Sequence, residues 1–347
     1  MNMLNRIIAM VTCLLLTAGH KTPHAGRVVP ITDTSNDLKQ LCVLEVSSAQ
    51  ANEVSEFDSA VFLPGGNTLI TGIGGAHYGG VLYWDLKTQK VTRDLTVYER
   101  GVYQVHSTKD GKWLLGVSAE HALFWRADLG VLLGGLHPNG LARYTRHGAL
   151  TPDGRYFAVS GESFIDAGNE RFTRIYDIRT EKYKSRPKLG TILACSPDGD
   201  TIVSCAGKNS LIYSIKKDRV TRRVEATEWK AAQFSPDGSK LAALRTGEVE
   251  VLGTLDWAQR GPITGSFNED SCLQFLNHGQ QIAISHYAGR SSKVGILDIF
   301  EVATGSRLSH TEFNEPIRVI IASPDQSLLA IVMRTRVEVF EANLARK

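Results

Sequence analysis

The chain predicts an all-β fold, a closed ring of seven four-stranded antiparallel blades, and three observations carry that expectation. One phrase recurs seven times: LPGGNTLIT (63–71), TKDGKWLLG (108–116), TPDGRYFAV (151–159), CSPDGDTIVSC (195–205), FSPDGSKLAAL (234–244), LNHGQQIAI (276–284) and SPDQSLLAI (323–331). The copies turn at Gly66, Gly111, Gly154, Gly199, Gly238, Gly279 and Gln326, 39 to 47 residues apart, and a hairpin-containing repeat of that length has the period of a propeller blade. Finally, the two ends of the chain carry strand patterns that complete each other.

Each copy is a hairpin because its parts are. Pro presets φ for the first corner, Asp bonds backbone two residues on, and Gly accepts positive φ. The runs on either side are apolar. In FSPDGSKLAAL the turn pairs Phe234 with Leu241; by analogy Cys195 faces Ile202 and Cys205 faces Ile192. After each hairpin comes a third apolar stretch, as in VLYWDLKTQK (81–90), RIYDIRTEK (174–182) and VEVFEANL (337–344). A fourth, more variable segment such as KVTRDLTV (90–97) or RVTRRVEA (219–226) completes four strands. The seventh copy lacks that fourth segment, whereas Leu41–Val46 is a strand pattern without a hairpin. Pairing the two closes the ring and removes an open edge.

These residues resemble the WD-repeat β-propellers, in an exported bacterial form, over residues 41–347. The resemblance rests on the SPDG-type turns and on Tyr83-Trp84-Asp85-Leu86 and Ile175-Tyr176-Asp177-Ile178. It implies that the strand before each turn lines a central channel. The loops entering that strand, with those between second and third strands, then form one rim.

Before the propeller, residues 1–25 read as a secretory signal and 26–40 as a linker. MNMLNR carries one positive charge and precedes IIAMVTCLLLTAG, a run about 20 Å long as a helix and too short for a bilayer of about 30 Å. The expected location is secreted or periplasmic, with no membrane span in the mature chain. Export permits disulfides, but Cys195 and Cys205 stand about 10 Å out of register, beyond bridging reach. Free thiols are therefore expected. A net charge of +3 on 347 residues offers no basic stripe for nucleic acid.

No catalytic pattern is found. Gly72-Ile73-Gly74-Gly75 has His77 where a phosphate loop needs its last glycine, and GESFI (161–165) lacks the second glycine of a nucleophile elbow. The histidines show no zinc spacing. No metal and no cofactor are expected.

The rim remains. Counting back eight residues from each turn position gives Asp58, Tyr103, Arg146, Thr191, Lys230, Ser271 and Arg318, polar where the strands leave the core. Tyr144 and Trp229 stand beside them. Trp229 serves either as an exposed interface anchor or as packing between blades. Arg146, Lys230 and Arg318, opposed only by Asp58, predict a positive channel mouth that prefers an acidic partner. Long loops at 72–80, 162–172 and 286–295 add His77, Tyr78, Asp166, His286, Tyr287 and Arg290 as secondary candidates. The expected function is a monomeric scaffold that binds a protein or peptide. The alternative is a propeller enzyme, a lactonase-like hydrolase or one like the quinoprotein dehydrogenases, with its site at the channel mouth.

Overall fold

The computed structural model describes residues 26–28, 38–46, 56–74, 79–97, 101–118, 121–136, 144–163, 170–180, 182–287 and 293–342. Residues 1–25, expected as a leader, lie outside the described residues, as do 29–37 and the chain's last five positions. Among the described residues no helix is long and apolar enough to cross a membrane.

Two short segments come first, β1 (Gly26–Val28) and β2 (Gln40–Val46). Blade one is β3 (Glu56–Phe62), β4 (Thr68–Gly74), β5 (Gly79–Asp85) and β6 (Lys90–Val97). Blade two is β7 (Val102–Ser107), β8 (Trp113–Ser118), β9 (Ala122–Arg126) and β10 (Val131–Leu136). Blade three is β11 (Tyr144–Leu150), β12 (Tyr156–Ser163), β13 (Glu170–Asp177) and β14 (Lys182–Ser185). Blade four is β15 (Thr191–Cys195), β16 (Thr201–Ala206), β17 (Asn209–Ser214) and β18 (Arg219–Val224). Blade five is β19 (Ala231–Phe234), β20 (Lys240–Arg245), β21 (Glu248–Gly253) and β22 (Gln259–Thr264). Blade six is β23 (Leu273–Leu276), β24 (Gln281–Tyr287), β25 (Gly295–Glu301) and β26 (Arg307–Phe313). Blade seven contributes β27 (Ile317–Ala322), β28 (Leu328–Met333) and β29 (Arg336–Glu341).

The first strands β3, β7, β11, β15, β19, β23 and β27 lie side by side in that order, and β27 lies beside β3. The ring is closed, and β2 closes it: the last sheet runs β1-β2-β29-β28-β27. Gln40 Nε2 donates to Glu338 at 2.7 Å and Lys39 Nζ to Glu341 at 2.7 Å, while Leu44 is fully buried. Within the stretch expected as a linker, β1 adds a short fifth strand, pairing Gly26 with Val46 and Val28 with Leu44.

Seven apolar clusters fill the seven spaces between neighbouring blades. Second strands are apolar on both faces because each lies between two such spaces. In β20, Leu241, Ala242, Ala243 and Leu244 are all fully buried, the pair 241 and 243 in one cluster and 242 and 244 in the next. A fully buried aliphatic side chain contributes about 1.5–3 kcal/mol.

The seven turn positions all take left-handed φ, between +62° and +84°, and Gln326 does so without being glycine. In five turns the hydroxyl of Thr108, Thr151, Ser196, Ser235 or Ser323 donates to the Asp two residues on, at 2.5–2.6 Å. The same Asp accepts a backbone N–H from two residues further, at 3.0–3.1 Å. One more bond recurs in all seven blades. The N–H of Leu86, Ala127, Ile178, Ile215, Thr254, Val302 or Ala342 donates, at 2.7–2.9 Å, to the carbonyl of the residue just after the turn position.

Phe234 pairs with Leu241 and Cys195 with Ile202. Cys205, however, pairs with Thr191 and not with Ile192, because a bulge at Leu193 advances the register by one. Cys42, Cys195, Cys205 and Cys272 are free thiols.

Candidate functional site

The rim opposite the turns is built by the entries of the first strands. Asp58, Tyr103, Arg146 and Arg318 each fall on a break in register between first and second strands. Such a bulge sets two residues against one, bends the strand and re-aims side chains. The polar positions found by counting back eight residues are therefore, in four blades, the bulge itself. In blade four the bulge comes two residues later, at Leu193. Lys230 and Ser271 precede β19 and β23, and Ser271 is buried.

At the seam between blades seven and one these residues meet. Arg318 donates from Nη1 to Asp58 Oδ1 at 2.6 Å and to the carbonyl of Phe57 at 2.9 Å, and from Nη2 to Glu56 Oε2 at 2.7 Å. Arg334, in the turn between β28 and β29, donates from Nε to Glu56 Oε1 at 2.7 Å. Behind Arg318, its own carbonyl accepts the thiol of Cys272 at 2.8 Å. On the other side, the Asp58 carboxylate fills the space that a Cβ at Gly74 would need, and the edge of the Tyr103 ring lies over Gly101. Tyr103 is 40% exposed.

Two carboxylates two residues apart thus acquire opposite properties. Burial pushes the carboxyl of Asp58 up to about 6, the charge of Glu56 adds to that, and Arg318 offsets only part of it. Burial also opposes the charge on Glu56, but there the hydrogen bonds from Arg318 and Arg334 outweigh it and hold the carboxyl below its ordinary value. Burial raises the Cys272 thiol to about 11, so it is not a nucleophile at neutral pH.

Several expectations are corrected here. The positive channel mouth does not form from Arg318 and Lys230: Arg318 is matched by Glu56 and Asp58, and Lys230 Nζ is bonded to Glu228 at 2.9 Å. Trp229 is not an exposed anchor. It is 1% exposed, packs between blades four and five, and donates from Nε1 to Glu250 at 3.2 Å. His286 and Tyr287 lie within β24, not in a loop. His286 Nε2 meets Asp298 at 2.9 Å, and His310 Nδ1 meets the same carboxylate at 2.6 Å. Tyr144 and Arg146 are placed in β11 by their backbone alone. His77, Tyr78, Asp166 and Arg290 lie outside the described residues.

Sequence reasoning missed Glu56 and Arg334. The count stopped two residues short of Glu56, and Arg334 belongs to a short second-to-third-strand turn that reaches the same rim. Matching charges across the expected ring closure would have found both. Among the described residues no cluster of three His, Cys, Asp or Glu is placed to hold a metal ion. Chemically the seam offers paired donors and acceptors, one carboxyl able to take a proton near pH 6, and a half-exposed phenol.

No family model matches the chain, and no curated protein matches it. Among solved structures 1409 chains match. One is the β-propeller domain of Myceliophteria thermophila Cps50 (Swd1), 17% identical with a TM-score of 0.68, over 82% of this chain and 96% of that one. At that identity the likeness is one of fold, and a fold so widely shared does not carry a function.

Proposed function

We propose that this chain is an exported, non-enzymatic propeller that binds a protein or peptide partner at the rim where blades seven, one and two meet. The leader sequence supports export. The observation that carries the binding reading is the half-exposed Tyr103 beside Asp58, with Arg318 and Glu56 fixed behind it. Aromatic and Arg side chains backed by a rigid polar network make interface hot spots. Both carboxylates at this seam are taken up by arginine, and among the described residues no hydrogen bond joins either of them to a histidine.

The test is partner capture by the mature protein from a secreted proteome, followed by binding measurements with Tyr103→Ala. A loss of 10-fold or more in affinity with unchanged melting supports the reading. Unchanged affinity removes Tyr103 and, with it, this rim.

A further inference from the structure

The outer wall of the ring carries its charge unevenly. Residues 179–188, which span β14 and its flanking turns, and 208–223, which run from the turn before β17 into the edge strand β18, hold eleven of the chain's 39 Lys and Arg but only two of its 36 Asp and Glu. One of the two acids, Asp218, is already committed. It accepts from Lys184 at 2.7 Å and from Arg186 at 2.6 Å, which ties the edge of blade three to the turn before β18. Among the described residues no ion pair joins Lys182, Arg219, Arg222 or Arg223 to a carboxylate.

The strand at the centre of this band is β18, Arg219-Val220-Thr221-Arg222-Arg223-Val224, exposed along its first five residues. Its register places Val220 and Arg223 on the blade face of Tyr213 and Leu211, and Arg222 and Val224 on the face of Ile212 and Ser210. Cations thus flank both sides of an edge whose outer N–H and C=O groups face solvent. Other edges are interrupted or carry an acid. Strand β10 contains Gly134-Gly135 and β22 contains Gly261-Pro262; β14 stops after four residues before Pro187; β6 carries Asp94 and β26 carries Glu312. The bulge at Thr221 is not peculiar to β18, since β6, β10, β22 and β26 have one too.

The molecule itself shows that such an edge accepts another strand. In blade seven, β1 pairs antiparallel with Leu44–Val46, beyond the bulge at Leu41 in β2. We propose that the β18 edge, from Arg222 to Val224 beyond its own bulge, binds an extended acidic peptide segment of a partner protein as a fifth strand. Main-chain hydrogen bonds supply the docking, and Arg219, Arg222 and Arg223 supply the selection. The same arginines repel a second copy of this edge, so the charge that protects the strand from self-pairing also chooses its partner.

The test uses the full chain and a fluorescent acidic peptide of alternating Glu and Val. It is compared with the same peptide N-methylated on alternate amides, with a Lys-and-Val peptide, with a sulfated polysaccharide and with phosphatidylserine vesicles. Saturable binding of the acidic peptide is expected. Affinity falls at least 10-fold on N-methylation and at least 10-fold in Arg222→Glu/Arg223→Glu, and the Lys peptide does not bind. Tyr103→Ala leaves this binding unchanged, which separates the edge from the rim. The proposal is overturned if the acidic peptide fails to bind, if the N-methylated peptide binds equally, or if the double variant binds like the parent. It is equally overturned if the polysaccharide or the vesicles bind through Arg222 and Arg223 more tightly than the peptide does.

Discussion

The two ends of the seven-fold ring are built on different rules. At the turn end one local design repeats. Every turn position is left-handed, and a Cβ at Gly66, Gly111, Gly154, Gly199, Gly238 or Gly279 would meet the turn of the preceding blade. The turns therefore overlap around the ring like shingles. At the rim the entries differ. Four bulge at the same offset, one bulges two residues later, and blade seven reaches across to blade one through Arg318. The difference teaches where a repeat protein keeps its freedom: local signals fix one end, and the other varies blade by blade.

The largest expected effect comes from undoing closure. Deleting residues 41–46 removes the strand that pairs with β29 and strips buried Cys42, Val43 and Leu44 from the interior. Loss of soluble, cooperatively melting protein is expected; an unchanged melt means that blade seven does not need its N-terminal strand.

Next come the glycines. Gly111→Val places a side chain at φ +68° against Pro64, with a Cβ 2.7 Å from its Cδ, and is expected to cost about 1–3 kcal/mol. At the rim-side turn, Gly247→Ala also has positive φ but nothing within 4 Å, so only backbone strain of about 1 kcal/mol is expected. Chemical denaturation ranks the two; a reversed order would mean that shingling contributes nothing.

Much of this was legible in the sequence. The turn residues, Pro-Asp-Gly in full at 152–154, 197–199 and 236–238 and in part in the other copies, act within four or five residues, so seven hairpins, their period and the closing strand could be read directly, and Gln326 holds the turn conformation in glycine's place. The rim was legible only in outline. Its polar positions fell at the right offset, but Glu56 and Arg318 are 262 residues apart, and no local pattern announces that pair. The bulge at Leu193 moved Cys205 by one place, and Trp229, one residue before a polar strand entry, turned inward.

A smaller effect distinguishes the ends by pH. Hydroxyl hydrogen bonds hold the turn carboxyls of Asp110, Asp198 and Asp325 below their ordinary value. They contribute stability above about pH 4, and that contribution is lost as pH falls. Asp58 behaves oppositely. Its carboxyl, raised from 3.8 to about 6, binds a proton more readily in the folded chain than in the unfolded one, so the folded state loses stability as pH rises from about 4 to about 6. Melting curves of the parent and Asp58→Asn should therefore diverge over that window, the parent losing ground as pH rises. Parallel curves would contradict the assignment.

The central claim is that the turn end serves the fold and the rim serves the partner. Capture from a secreted proteome, run in parallel with parent, Gly238→Ala and Tyr103→Ala, tests it directly. The account predicts that Gly238→Ala melts earlier yet retains the captured partner, whereas Tyr103→Ala melts like the parent and loses it. Retention by Tyr103→Ala, or loss by folded Gly238→Ala, would contradict it.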